Sequence, residues 1–402
     1  MTPPRMPDLT PQAAHARLAA VDPAAYAASR NHLDGAVTGL SPWITHGQLT
    51  LAEVVETLRA RHHLPLTHKL VLELAWRAYF RHTWRQLGDA IFDSRHPGPL
   101  PDGAYAPALP PDLRAGATGV PAVDQAVRTL YATGLLHNHA RLWLAAYTVH
   151  VRKVHWRAGA DWLYGHLLDG DLASNHLSWQ WVAGTASARP YLASAANIAL
   201  FAPPAWHSPG TVLDQPPDAL LALATRPEDA GPEPGAHPGA HPVVCEPALT
   251  AEPPPALRDL FRPPDPAAVA GQDLWLVHPW SLADAPPGTQ AVAVLDSAWH
   301  SRWHWSPARW HVVITRMAAL APVRWLAPAD TLAAALGAAR RVRGRANPHL
   351  APALARVCTE PDLPPWPEPA AACRSFSAYW SRVLKASRPA ASEGVGDLLP
   401  KK

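Results

Sequence analysis

The stretch that most limits what this chain can fold into runs from Thr133 to Trp181. It reads T-G-L-L-H-N-H-A-R near its start and D-G-D-L-A-S-N-H-L-S-W-Q-W at its end. Between the two polar clusters lies an apolar run, Leu142 to Val154, whose pattern predicts a buried helix. Hydrogen-bonding groups at the ends of buried elements must find partners, and a polar ligand is one source of them. Asp169 and Asp171, both in the second cluster, would be costly to bury without such partners.

The sequence around this stretch reads as helical. Residues 8–30 predict two short helices split at Pro23, the first capped by Thr10 with Pro11 behind it. After a turn-rich segment, Ser41-Pro42 opens another helix, so Thr38 to Ser41 offers hydroxyls and free N–H groups at a helix start. Such a place binds phosphate, although plain capping is its commoner use. From Thr67 to Leu87, Glu73, Trp76, Arg77 and Phe80 recur at steps of three and four and share one face. For that pattern an intrahelical Glu73–Arg77 pair on a solvated face is the ordinary outcome. Residues 95–117, rich in Pro and Gly, predict loop. A helix then starts near Pro121 and ends at Gly134, and further helices are expected from Ala160 to Leu168 and Leu172 to Gly184.

From Pro203 the composition shifts. Much of the unusual Pro content, 47 residues in 402, falls before Pro266, in segments such as G-P-E-P-G-A-H-P-G-A-H-P. That reads as a flexible or semi-extended linker. His237 and His241 lie in it with no third ligand at a metal-binding spacing, so no metal site is expected. Beyond it, D-L-W-L-V-H-P and Q-A-V-A-V-L-D predict strands. A helix capped by Ser306, a third strand A-P-V-R-W-L-A and another helix follow. That order implies a small parallel sheet with crossover helices. It carries no G-x-G-x-x-G and no P-loop, which leaves a conventional dinucleotide or triphosphate site unsupported. The expected fold is mainly α: a helical domain over 1–202, a linker over 203–268 and a small α/β domain over 269–402.

Composition bounds the rest. A formal charge of +3 is compatible with a local nucleic-acid patch and does not demand one. Three scattered cysteines, Cys245, Cys358 and Cys373, suit a reducing cytoplasm rather than a disulfide framework. No stretch approaches the roughly 18 uninterrupted apolar residues of a membrane span, and no apolar signal core opens the chain. A soluble, cytoplasmic monomer is expected.

Taken together, Thr38-Gly39-Leu40-Ser41-Pro42, E-L-A-W-R-A-Y-F-R-H (73–82), T-G-V-P-A-V-D-Q-A-V-R (118–128) and the two polar clusters resemble the flavin-binding helical domain of the DNA photolyase and cryptochrome family. The resemblance implies FAD as cofactor. Its phosphates would lie against Thr38, Gly39, Leu40 and Ser41, with Tyr26 nearby, and against Arg77. Its ring would be held by Asn138, Arg141, Asp169 and Asp171, with Asn175 facing the redox nitrogen. It further implies a light-driven repair enzyme that flips a pyrimidine dimer out of DNA. Trp76 and Trp181 would stack on the lesion, Glu73 would hydrogen-bond its bases, and Asn138 and Arg30 would contact the lesion and its phosphate. Trp179 and Trp156 match the first two members of an electron-transfer chain. The third has no counterpart, and Trp162 or Tyr105 is the candidate replacement.

The sequence also departs from the family pattern. Gly39 stands where the family has arginine, Leu70 where it has an aromatic, and His139 where it has arginine. The family's α/β antenna domain comes first, whereas here A-V-L-D-S-A-W-H-S-R-W-H-W-S-P-A-R looks like its second strand and following helix. The order therefore reads as circularly permuted, and the antenna chromophore is left open. A photoreceptor that binds FAD without repair, and a scaffold without flavin, are the alternatives.

Overall fold

A computed structural model describes residues 8–231 and 243–387, so His237 and His241 lie outside it. The chain is mainly α with one four-stranded parallel sheet. In order it forms α1 (Pro11–Ala19), α2 (Pro23–Ser29), α3 (Ser41–Thr45), α4 (Leu51–His62), α5 (Lys69–Leu87) and α6 (Pro111–Arg114). Then come α7 (Pro121–Thr133), α8 (Asn138–Ala146), α9 (Trp156–His166), α10 (Leu172–Ala183), α11 (Ala195–Phe201), α12 (Pro217–Ala224) and α13 (Pro255–Arg258). The sheet region follows as β1 (Asp273–Val277), β2 (Gln290–Asp296), α14 (Ser297–Arg302), α15 (Pro307–Leu320), β3 (Val323–Ala327), α16 (Ala329–Leu336), β4 (Arg341–Gly344), α17 (Pro352–Ala355) and α18 (Phe376–Ala386).

Local chemistry sets many of these boundaries. The Thr10 hydroxyl accepts the Ala13 amide and the Asp22 carboxylate accepts those of Ala24 and Ala25, each beside a proline in the first turn. Thr50 and Glu53 form a capping box at the start of α4. Gly134, at φ +65°, ends α7 in the left-handed conformation.

Three expectations need correction. Leu142 to Val154 is not one helix: α8 stops at Ala146 and continues as a π turn over Tyr147–Val151. There the Thr148 hydroxyl donates to the Leu144 carbonyl at 2.7 Å, which competes with the regular backbone bond. The 95–117 segment holds a short 3-10 turn, Asp102–Ala104, and α6. Within 203–268, α12 and α13 form, the Val244 amide donates to the Ala115 carbonyl, and Thr250 pairs with Trp305. Prolines in the first turns of α12 and α13 start helices there rather than excluding them.

The sheet order is β3-β2-β1-β4, all parallel, with Val277 opposite Ala293 and Leu276 opposite Gly344. β1 and β2 are central and buried, as expected of parallel strands covered on both faces. One apolar core joins the sheet to the first five helices, running from Leu49, Val54 and Leu70 to Val292, Trp310 and Tyr379. A second core lies among α7 to α10, with Val127, Leu144, Tyr147 and Trp179. The polar turn between α9 and α10 sits where these two cores meet. Among the described residues no helix is long and apolar enough to cross a membrane.

Candidate functional site

The site is built on the 167–171 turn that joins α9 to α10. Asp171 caps α10, its carboxylate accepting the Ser174 amide at 3.0 Å and the Ser174 hydroxyl at 2.8 Å. Helix α5 crosses this turn and points two cations at it from one face: Arg77 and, one turn on, Arg81. Each places a guanidinium nitrogen 3.5 Å from Asp171 Oδ2. Asp169 is held by Arg141 of α8, whose Nη2 lies 2.9 and 2.8 Å from the two carboxylate oxygens. The Arg77 Nη2 also donates to the Thr45 hydroxyl at 2.9 Å, and that hydroxyl donates to the Asp169 carbonyl at 3.1 Å.

Burial would raise both carboxyls. At Asp171 the Arg77 and Arg81 guanidiniums outweigh it and hold the group far below the usual carboxylate range. At Asp169 the Arg141 guanidinium and the Ser41 hydroxyl lower the carboxyl pKa. Both are therefore ionised at neutral pH. The Nε–H groups of Arg77 and Arg81 are buried without a hydrogen-bond partner, so the cluster retains unused donors of the kind an anionic ligand would take up.

The expected Glu73–Arg77 pair does not form. Arg77 turns inward to Asp171, and Glu73 instead meets Arg30 at the end of α2, Nε to Oε1 at 3.4 Å. The Glu73 side chain is 42% exposed. Tyr26 lies beside this pair, its hydroxyl pKa pushed up by burial and then by the Glu73 charge. His139 also feels Arg30 and Glu73. Asn138 is exposed in the first turn of α8, and its side chain makes no hydrogen bond among the described residues. Glu73, Arg30, Tyr26 and His139 thus stand together, with Glu73 one turn of α5 before Arg77. Asn175 is buried, its Nδ2 donating to the Ala160 carbonyl at 2.8 Å.

The Thr38–Ser41 segment stands beside the cluster through Ser41. Gly39 has φ +62°, and Arg17 Nε lies 3.0 Å from where a Cβ there would sit. Arg17 donates to the Val37 and Thr38 carbonyls. A guanidinium from α1 thus stands over the position where an arginine was expected in sequence. Leu40 is fully buried and contributes backbone only.

The aromatic residues divide. Trp76 stacks on Phe376 of α18, centroids 4.1 Å apart at 11°, while Trp181 is 38% exposed with Tyr191 5.6 Å away. Trp76 and Trp181 make no ring contact with one another. Trp179 is buried in the α9–α10 interface, against Gly159. Trp156 donates its Nε1 proton to the Ser94 hydroxyl. Of the two candidate third members, Tyr105 lies 6.2 Å from His155, itself 5.6 Å from Trp156. Trp162 faces Tyr131, His166 and the Glu246 carboxylate instead.

Sequence reading missed Arg81, Thr45, Asp362 and His349. Arg81 shares the face of Arg77 and was legible by helical spacing. Asp362 pairs with Arg81, and His349 accepts the Leu172 amide at 3.3 Å, both from the sheet half of the chain. No local signal marks either.

Residues 70–203 match the family model described as the FAD binding domain of DNA photolyase. A deoxyribodipyrimidine photo-lyase of Streptomyces griseus is 36% identical over 153 residues, covering 37% of this chain and 32% of that protein. A cryptochrome DASH of Gloeobacter violaceus is 32% identical over 175 residues, 40% of this chain and 33% of that one. The solved cryptochrome of Synechocystis is 25% identical with a TM-score of 0.43, covering 48% of this chain and 43% of that chain. The chain thus spans about a third of the length of the curated relatives it matches.

Proposed function

We propose, from the match of residues 70–203 to the FAD binding domain of DNA photolyase, that this chain is a member of the photolyase and cryptochrome family, holds FAD and splits pyrimidine dimers in DNA with blue light. The observation that carries this reading is the buried cluster around Asp169 and Asp171. Arg77, Arg81, the part-exposed Arg141 and the fully buried Arg309 stand around Asp169, Asp171 and Asp362, so cations outnumber anions in a largely buried site. An excess positive charge with unused N–H groups suits an anionic, polar ligand, and the residues present fit a flavin dinucleotide in its reduced form.

Once bound, reduced FAD would supply an electron on absorbing light. Arg77, Ser41 and Thr38 would hold its pyrophosphate, with the Tyr26 hydroxyl nearby. Arg141, Asp169 and Asp171 would flank the ring and set its charge, and Asn138 and Asn175 would hydrogen-bond its edge. Around Glu73, the carboxylate would accept hydrogen bonds from the bases of a flipped dimer, Arg30 would meet its phosphate, and Trp76 and Trp181 would stack on it. Trp179, Trp156 and Tyr105 would carry electrons inward. A cavity of about 730 Å³, bounded on one side by Asp362 of the charged cluster, opens beside Trp84, Trp299 and Trp303, and an antenna chromophore would find aromatic walls there.

One observation favours a second reading, a photoreceptor without repair: Phe376 occupies a face of Trp76, the ring expected to stack on the lesion. The deciding experiment is an absorption spectrum of the purified chain in the dark and after blue light with a thiol reductant, then incubation with a dimer-containing oligonucleotide under light. A flavin spectrum with light-dependent loss of dimers supports repair. Bound flavin with dimers intact supports the photoreceptor, and a colourless chain that takes up no FAD defeats both.

A further inference from the structure

The 168–170 backbone is held from outside at every carbonyl. The Leu168 oxygen lies 2.8 Å from His46 Nε2, the Asp169 oxygen takes the Thr45 hydroxyl, and the Gly170 oxygen takes Arg309 Nη2 at 2.7 Å. Arg309 belongs to α15, on the sheet side of the molecule and 139 residues further along the chain. Its Nη1 donates to the Tyr164 carbonyl at 2.9 Å. Its guanidinium lies between the rings of Tyr164 and Trp305, 4.6 and 4.1 Å from their centroids, and is wholly buried.

A buried guanidinium that serves two carbonyls and no carboxylate is expensive to desolvate. The charges that offset it are Asp169 and Asp171, on either side of the glycine whose carbonyl it holds. The glycine itself is required by this arrangement, since a Cβ at Gly170 would lie 2.6 Å from Arg309 Nη1 and 2.8 Å from the Tyr164 oxygen. The guanidinium fills the space a side chain would need. Other contacts from the sheet half reach the same place. His46 Nδ1 lies 2.6 Å from the Pro279 carbonyl just after β1, and the His349 ring accepts the Leu172 amide.

We infer that Arg309 is a positioning residue of the flavin site, setting the Asp169-Gly170-Asp171 backbone and placing positive charge behind both carboxylates. This rests on the reading above that the site holds FAD. The α/β half is then part of the cofactor site and not only a separate module beside it.

The test uses the full chain stripped of flavin. Arg309→Met keeps length and apolar packing while removing the donors and the charge, and Arg309→Lys restores the charge. Each is titrated with FAD by fluorescence quenching, and hydrogen exchange across residues 164–175 is followed before any flavin is added. R309M should weaken FAD binding about tenfold or more, the worth of a charge-assisted hydrogen bond. It should also speed exchange at 169–172 in the flavin-free protein, and R309K should recover part of both. A folded R309M that binds FAD as the parent does, or whose 169–172 amides exchange no faster, overturns the inference. Should R309M fail to fold, Gly170→Ala crowds the guanidinium with its charge intact. Weakened binding with faster exchange then supports the role, and unchanged binding overturns it. A parent chain that takes up no FAD defeats the proposed function, whereas unchanged exchange in R309M defeats the role of Arg309 alone.

Discussion

Glu73 and Asp171 bear the same charge in opposite surroundings, and their replacements should behave differently. Glu73 is partly exposed and has one partner, Arg30, at 3.4 Å. Exposed pairs of this kind contribute about 0–1 kcal/mol. Glu73→Ala should therefore leave the unfolding free energy within about 1 kcal/mol of the parent. It should keep flavin bound and lower light-driven dimer splitting about tenfold or more, the cost of losing a hydrogen bond to a charged group. Repair kinetics beside a flavin absorption spectrum would show this, and flavin loss in that variant would refute the role given to Glu73. Asp171→Ala instead leaves Arg77 and Arg81 buried without their shared counter-charge. A loss of about 3–5 kcal/mol in urea unfolding is expected, together with release of flavin. Spacing alone made the Glu73, Trp76 and Arg77 face legible. The partner of Arg77 was not, because a carboxylate from a distant turn competes better in a dry interior than a neighbour one turn away in water.

At the level of elements, the α9–α10 contact is tight enough to test. A Cβ on Gly159 would sit 2.3 Å from the Trp179 ring. Gly159→Ala should therefore displace that ring and cost about 1–3 kcal/mol by overpacking. With flavin still bound, photoreduction by an external thiol should slow, and a rate equal to the parent's would remove Trp179 from the electron path. Helix α18 carries the second test. Phe376→Ala frees a face of Trp76, and a ring stack is worth about 0.5–1.5 kcal/mol. Affinity for a dimer-containing oligonucleotide, read by fluorescence anisotropy, should rise about twofold to tenfold. No change would mean that DNA does not use that face. Caps and periodicity exposed α5, α7, α10 and the first three strands to sequence reading. The Thr50–Glu53 capping box of α4 is a sequence signal of the same kind. β4 was not legible, since A-R-R-V-R-G lacks the apolar alternation of a covered strand. The π turn after Ala146 depends on a side-chain hydrogen bond that no periodicity encodes.

Across the whole molecule, the sheet and the first five helices share one core, the helices α7 to α10 hold a second, and both are lined in part by buried histidines. His278 donates from Nε2 to the Arg345 carbonyl and accepts the Trp280 amide at Nδ1, a pattern that only a neutral ring satisfies. His349 accepts the Leu172 amide and lies beside the Asn347 amide oxygen, again as a neutral ring. His150 donates once, to the Val182 carbonyl, and its other nitrogen is buried without a partner. Burial, the largest influence on each, pulls His278 and His150 down to about 4, His300 to about 3, and His349 well below the ordinary 6.5. These rings are neutral when folded and titrate near 6.5 when unfolded. As pH falls from about 6.5 toward 4 the unfolded chain takes up protons that the folded chain refuses, so stability must fall across that window. Each fully shifted ring contributes on the order of 3 kcal/mol by pH 4, against a total of about 5–15 kcal/mol for a typical protein. The buried carboxylates act in the same direction only below about pH 4, because their unfolded pKa is near 3.8. Thermal melts at several pH values between 7.5 and 4.5 should show the midpoint dropping steadily below 6.5. His278→Gln, which keeps a donor and an acceptor without a titrating ring, should flatten that slope by about one proton's worth. A midpoint that holds level down to pH 5 would mean the rings are solvated or paired in the folded protein, and that the core boundary is wetter than its packing shows.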